Sequence, residues 1–361
     1  MLGWSPGWER PARPIATGEW RDEAAMLKEL LVRLGAARLL RPIFGGRGAV
    51  LVLHRVRPRD PALVVEANHR NSIPPELLLA LLDALAADGV AVVSLDDALA
   101  RLADPRAGRF VCLTVDDGYR DNHDTLLPIL EARGIPATVY VVPGLIDRTA
   151  PLWWYALDEV IAREQHLRLP LPGDTAIACG DRAGQERAFS LAAGFMLRAS
   201  RDEAARMVEA LTDRHGIDMA ALADRHMMDW AMVRRLAASP LIEIGAHTLT
   251  HPPLAALSHA EAAAEMTGSR DRLEHELGRP IRHFAYPYGT PGTTGAREFA
   301  LAGELGFRTA VTTLPGNLSN RHAMDRTTWP RHGIGPADGA AALRLKLAGL
   351  ANPFRTARAD R

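Results

Sequence analysis

The chain has 361 residues, 47% of them hydrophobic, and its 43 Lys plus Arg are balanced by 43 Asp plus Glu. A neutral chain of this composition folds as a globule, and a strongly basic nucleic-acid surface is not its main business. Two cysteines, Cys112 and Cys179, are too few for a disulfide framework or a multi-cysteine zinc site, and both are expected as buried thiols.

Residues 1–45 form an N-terminal extension containing the amphipathic stretch "RDEAAMLKELLVRLGAARLLRPIF". Its Lys28, Arg33, Arg38 and Arg41 would suit an anionic membrane surface, although such a helix more often packs its apolar face on its own domain. The opening "MLGWSPGWERPARP" has charge and proline where a signal peptide needs an apolar run, and no apolar run reaches the length of a membrane span. The expectation is a cytoplasmic protein without a transmembrane segment.

Seven strands are predicted after this extension: Ala49–His54, Val90–Leu95, Phe110–Val115, Ala137–Val142, Leu241–Gly245, His283–Tyr286 and Thr309–Thr313. Several are apolar nearly throughout, as strands covered on both faces are. The helical patterns between them are well punctuated. "PPELLLALLDALAADG" begins on prolines and stops at Gly89, and Ser258 with Glu261 makes a capping box for a helix that ends at Gly278. Strand and helix in alternation predict an α/β fold with a mainly parallel sheet or barrel and helices outside. The barrel domain is expected over residues 46–335, interrupted by a helical insertion from about Glu164 to Asp229, which would serve as a lid or groove wall. A C-terminal helical tail follows over residues 336–361.

Reactive groups in such folds gather where strands finish. The first strand ends in His54, the third is followed by Asp116 and Asp117, the fifth by His247 and His251, and the sixth runs into Tyr286, Pro287 and Tyr288. Asp-Asp-Gly alone would be turn chemistry. Together with the histidines, however, it has the composition of a divalent-metal site with a spare base: one carboxylate and two imidazoles as ligands, and a position left for water. Pro252 and Pro253 follow His251 at once, so the two histidines are expected on a loop and not on one helical face.

"LTVDDGY", "IGAHTLTH" and "FAYPYG", with "HRV" and "MMDW", resemble the polysaccharide deacetylase family, the NodB-homology domain, over roughly Gly48 to His332. The resemblance implies a distorted barrel of about seven strands, of the (β/α)7 type, and a metal-dependent hydrolase that removes N-acetyl groups from an amino-sugar polysaccharide or oligosaccharide. It assigns Asp117, His247 and His251 to Zn2+ or another divalent metal, Asp116 to the general base, and the backbone near Tyr288, in the stretch Tyr286–Pro287–Tyr288, to the oxyanion.

Two departures from the family pattern stand out. The family's late "LH" motif, which carries the general acid, has no clean counterpart, so His332 in "WPRHGIG" is taken as the acid, with His54 next in line. The family's arginine beside the base is replaced by Ala285, and Arg331 is expected to reach in from the last strand to take its place. Trp153, Trp154, Tyr155 and Trp230 are candidates for a sugar-stacking platform. A hydrolase of another linear or cyclic amide, or a carbohydrate-binding relative without catalysis, is the competing reading.

Overall fold

The computed structural model describes residues 45–170 and 176–350, with Leu30, Val32, Gly35 and Leu39. The expected N-terminal extension, and the tail beyond residue 350, therefore lie almost wholly outside the described residues. Eight strands make one parallel sheet: β1 (Gly48–Leu53), β2 (Ala91–Val92), β3 (Phe110–Val115), β4 (Ala137–Val141), β5 (Ile242–Ala246), β6 (His283–Ala285), β7 (Thr309–Val311) and β8 (His332–Gly333). Their order is β7-β6-β5-β4-β3-β1-β8, with β2 beside the start of β3.

All seven expected strands are present. The second is cut to two residues because Ser94 turns out to cap a helix, accepting a hydrogen bond from the Asp97 N–H. The eighth strand, β8, has no apolar run to announce it, yet it closes the fold. Trp329 exchanges backbone hydrogen bonds with β7 through Ala310 O and Thr312 N–H, while His332 pairs with Leu51 of β1. The segment Trp329–Gly333 thus bridges the two edges, and the sheet curls into a distorted barrel as expected.

Strand alternation divides the core into two layers. Leu51, Leu53, Val111, Leu113, Val139, Ile242, Ile244 and Phe284 face outward into the apolar layer beneath the helices. Val50, Phe110, Cys112, Tyr140, Ala285 and Val311 face inward. Gly245 is on the inward row because a Cβ there would overlap the Tyr140 ring. The inward cluster is completed by Leu95, Ala98, Leu99 and Leu102. These belong to α2 (Leu95–Ala103), which follows α1 (Pro75–Ala87) and plugs the end of the barrel where the strands begin.

Between β4 and β5 run α3 (Trp153–Arg163), α4 (Arg182–Met196), α5 (Arg201–Glu209), α6 (Met219–His226) and α7 (Trp230–Ala238). Apart from these helices, the described residues of this region contain a short antiparallel pairing of His166–Leu167 with Ile177–Ala178. It packs as a separate apolar cluster on Trp153, Trp154 and Tyr119. α8 (His259–Leu277) has the expected Ser258–Glu261 capping box, and α9 (Ala296–Glu304) and α10 (Ala340–Leu347) complete the chain's described helices of eight or more residues. No helix among the described residues is long and apolar enough to cross a membrane.

His226, at the end of α6, stacks on Tyr155 with ring centroids 4.2 Å apart and meets Arg55 Nη1 at 3.2 Å. Burial, and then the charges of Arg55, Arg57 and Arg225, push its pKa down to about 3. An unfolded imidazole takes up its proton near pH ~6.5. The contribution of His226 to stability is therefore complete above that pH and is lost as the pH falls toward the folded value. His226→Phe is expected to flatten the acid-side loss of stability, read by urea unfolding at about pH 7 and about pH 5; an unchanged difference between the two would assign that loss to other groups.

Candidate active site

In an extended strand Asp116 and Asp117 would point to opposite sides of the sheet. Asp116 continues the inward row of Cys112 and Thr114. Asp117 has a left-handed backbone, φ 78°, and Gly118 follows at φ 83°. This conformation, which aspartate tolerates better than most residues, brings the second carboxylate round to the same mouth as the first.

There Asp117 Oδ1 lies 3.4 Å from His247 Nε2 and 3.4 Å from His251 Nε2, with all three side chains largely buried. Ligands bound to one tetrahedral ion by bonds of ~2.0–2.1 Å stand about 3.3 Å apart. His247 Nδ1 donates to Ala285 O at 2.7 Å, so its Nε2 lone pair is the one facing Asp117. One carboxylate and two imidazole nitrogens at this spacing fit a zinc-type divalent ion, and Asp117, His247 and His251 are the residues that would hold it.

The histidines sit on a loop, as expected, and the loop is strained: Thr248 and His251 have φ of 61° and 64°. It is stitched from within and from α8. Thr248 Oγ1 accepts from the His251 N–H at 3.0 Å and donates to His247 O at 2.6 Å. Buried Glu265 accepts from the Thr250 N–H at 2.8 Å and from its hydroxyl at 2.7 Å. Sequence reasoning passed over both residues. Thr248 was findable as a short hydroxyl between the two histidines, whereas Glu265 looks like any other acid of a polar helix. Glu265→Ala is expected to weaken divalent-ion affinity about 10–100-fold, the usual effect of losing an outer support. Competition with a chromogenic chelator measures it, and unchanged affinity would show the loop to be self-supporting.

Asp116 is gripped from the opposite wall. Arg331 Nη1 and Nη2 donate to its Oδ1 and Oδ2, both at 2.7 Å, and the same guanidinium bonds Thr312 O and Thr114 Oγ1. Arg331 is 0% exposed and Asp116 2% exposed. Burial is the largest influence on the Asp116 carboxyl and pushes it up, but the charge and hydrogen bonds of Arg331, with the nearby imidazole of His247, together outweigh it and hold the group below the usual carboxylate range. Burial likewise opposes Asp117, and hydrogen bonding to His247 and His251 holds it well below that range. The mouth therefore presents two ionised carboxylates: one turned to the imidazoles and one held by a guanidinium.

A family model for polysaccharide deacetylase matches residues 103–310, more than half of the chain, and spans both acids and both histidines. The chain belongs to the polysaccharide deacetylase family. Among solved structures, the deacetylase PplD of Streptococcus pyogenes in complex with acetate superposes with a TM-score of 0.54 at 18% identity, covering 83% of this chain and 97% of that one. IcaB from Ammonifex degensii gives 0.54 at 18%, covering 84% and 98%. A de-N-acetylase from Aggregatibacter actinomycetemcomitans gives 0.51 at 16%, covering 83% and 99%. Identities this low speak for the shared fold. No curated protein matches the chain.

Within this deacetylase fold, two expected site residues are displaced. His332 pairs in register with outward-facing Leu51, so it points away from Arg331, its inward neighbour. Its Nε2 meets Asn317 Oδ1 at 3.0 Å, and burial followed by the Lys346 charge lowers its pKa to about 4. His332 does not reach the reacting groups. Tyr286 also turns outward: its ring packs on Phe284 and Phe299, and its hydroxyl donates to Thr327 O. Pro287 carries the chain round, its carbonyl accepting from the Gly289 N–H. Tyr288, at φ 60°, brings its ring edge-on to His251 with 4.8 Å between centroids. The Tyr288 N–H has no hydrogen-bond partner among the described residues.

His54 does lie at this mouth: it follows β1 directly after Leu53, whose carbonyl accepts from the Asp116 N–H. Trp154 walls the site, 5.4 Å from His251 between ring centroids, with its Nε1 donating to Tyr119 Oη at 3.0 Å. Trp153 and Trp154 are only 7% and 8% exposed, so they line the site from within instead of forming a rim platform. Tyr155 and Trp230 are tied up elsewhere, with Arg55 and Asp147 respectively.

Proposed function

We propose that the chain is a metal-dependent hydrolase that removes N-acetyl groups from an amino-sugar glycan. The observation that carries this reading is the division of labour between adjacent acids: Asp117 joins two imidazoles at 3.4 Å, while Asp116 is kept apart and ionised by Arg331. A bare carbohydrate-binding surface has no use for a buried, charged base beside a ligand set of that kind.

A divalent ion in that set, zinc by donor chemistry, supplies Lewis acidity, polarising a carbonyl and making water a stronger acid. The protein does the rest. Asp116 accepts the proton of the attacking water, and its bidentate contact with Arg331 fixes the orientation of its carboxylate. The free Tyr288 N–H is the donor for the oxygen that becomes negative as the carbonyl turns tetrahedral. The C–N bond then breaks with proton delivery to the amine, and His54, on the opposite side of the acids from the histidine loop, is the group placed to give it.

The test compares acetate release from N-acetylated oligosaccharides by metal-free protein, zinc-reloaded protein and reloaded Asp116→Asn. Zinc-dependent release, with Asp116→Asn binding zinc but turning over about 10²–10⁴-fold more slowly, is the expected result. Zinc binding without any acetate release would move the chemistry to another amide, and failure to bind zinc would leave the fold as a carbohydrate-binding relative.

A further inference from the structure

A second metal-ligating cluster occupies the other end of the barrel, where the strands begin. His283 opens β6, Glu243 is the second residue of β5, and Asp96 lies in the first turn of α2. His283 Nε2 is 3.0 Å from Glu243 Oε1 and 3.4 Å from Asp96 Oδ1. Glu243 and His283 are on inward rows, since Ile242, Ile244 and Phe284 take the outward positions. Glu243 and His247 are four residue steps apart along β5 and its end, about 13 Å at ~3.3 Å per residue, so this cluster is distinct from the catalytic one.

The spacing of the donors points to an ion between them. The His283 side chain is 0% exposed, yet its Nε2 and the neighbouring Asp96 Oδ1 are both without a hydrogen-bond partner. The two carboxylate oxygens stand close to Nε2, yet Nε2 completes a hydrogen bond with neither. A buried nitrogen left in that state is destabilising unless something else binds it. The ring is also pre-oriented: Nδ1 is held by Thr309 Oγ1 at 2.7 Å, just as Ala285 O holds His247, which leaves Nε2 directed at the acids. The separations of 3.0 and 3.4 Å bracket the edge of about 3.3 Å expected for a tetrahedral site, and the larger equals those at Asp117. Arg308 occupies only Asp96 Oδ2, at 2.7 Å, so Oδ1 is left facing the imidazole.

We propose that Asp96, Glu243 and His283 form a second divalent-cation site, of zinc or cobalt chemistry, that ties the plug helix α2 to β5 and β6. One imidazole and two carboxylates suit such ions. Side-chain exposures of 33% for Asp96 and 26% for Glu243 give the ion a way in and leave a place for water.

The test is metal stoichiometry on full-length protein, stripped, reloaded with zinc or cobalt, desalted and measured by elemental mass spectrometry. Wild type is expected to hold two ions per chain, Asp117→Asn one, Glu243→Gln one, and the double variant none. In Asp117→Asn, the cobalt absorption spectrum reports the second site alone, and it should vanish in the double variant. His283→Gln is the second route to the same loss should Glu243→Gln fold poorly. One ion per wild-type chain, or two in Glu243→Gln, would overturn the proposal and leave His283 with a proton in place of a metal. Because Asp117→Asn and Glu243→Gln remove different ligand sets, failure of this site and failure of the deacetylase reading are told apart.

Discussion

Arg331→Ala is expected to lose most turnover and to destabilise the fold by about 3–5 kcal/mol, the usual cost of removing one partner from a buried ion pair. The pair has no solvent to fall back on: the guanidinium is fully buried and is the cation that chelates both Asp116 oxygens. Without it, burial is the dominant influence on Asp116 and pushes the carboxyl toward its neutral form, which cannot accept a proton. Turnover by metal-loaded protein should fall about 10²–10⁴-fold. Arg331 also ties β3 to β7 through Thr114 and Thr312, so part of the stability loss is mechanical. Two further variants separate the effects. Arg331→Lys keeps the charge but not the fork and should fall between wild type and alanine. Asp116→Asn combined with Arg331→Met removes the stranded charge, so it should unfold at higher urea than Arg331→Ala while remaining inactive. Near-normal acetate release by Arg331→Ala would take Arg331 out of the mechanism.

That pairing shows how far the sequence could be read. Arg331 and Asp116 are 215 positions apart, yet both follow strands of one barrel, and Ala285 leaves the base without a guanidinium from β6, so their meeting is legible in the sequence. The ligand set was legible for the same reason: strand ends converge, and "VDDG" and "HTLTH" each end one. His332 was misplaced because β8 is two residues long, too short for alternation to show in the sequence; one step along it separates an inward arginine from an outward histidine. Tyr286 failed similarly, one residue past a three-residue strand. Asp96, Glu243 and His283 gave no signal, since they are scattered over the chain and meet only where strands begin.

His54→Ala should slow acetate release from an N-acetyl sugar about 10²–10⁴-fold, while hydrolysis of an aryl acetate by the same protein falls by about tenfold or less. The difference lies in the leaving group. An amine leaves only with a proton, whereas a phenolate leaves without one, so the ester bypasses a missing acid but still needs Asp116 and the Tyr288 N–H. Position supports His54. Leu53 faces outward and Leu53 O accepts from the Asp116 N–H, so the residue that follows β1 falls on the inward side beside the base. His54 is also only partly buried, as a group that must meet substrate requires, while His332 is locked to Asn317 behind the sheet. His332→Ala is accordingly expected to change amide and ester hydrolysis alike and only modestly. If His54→Ala instead slowed both substrates equally, His54 would be positioning substrate or base and not delivering the proton.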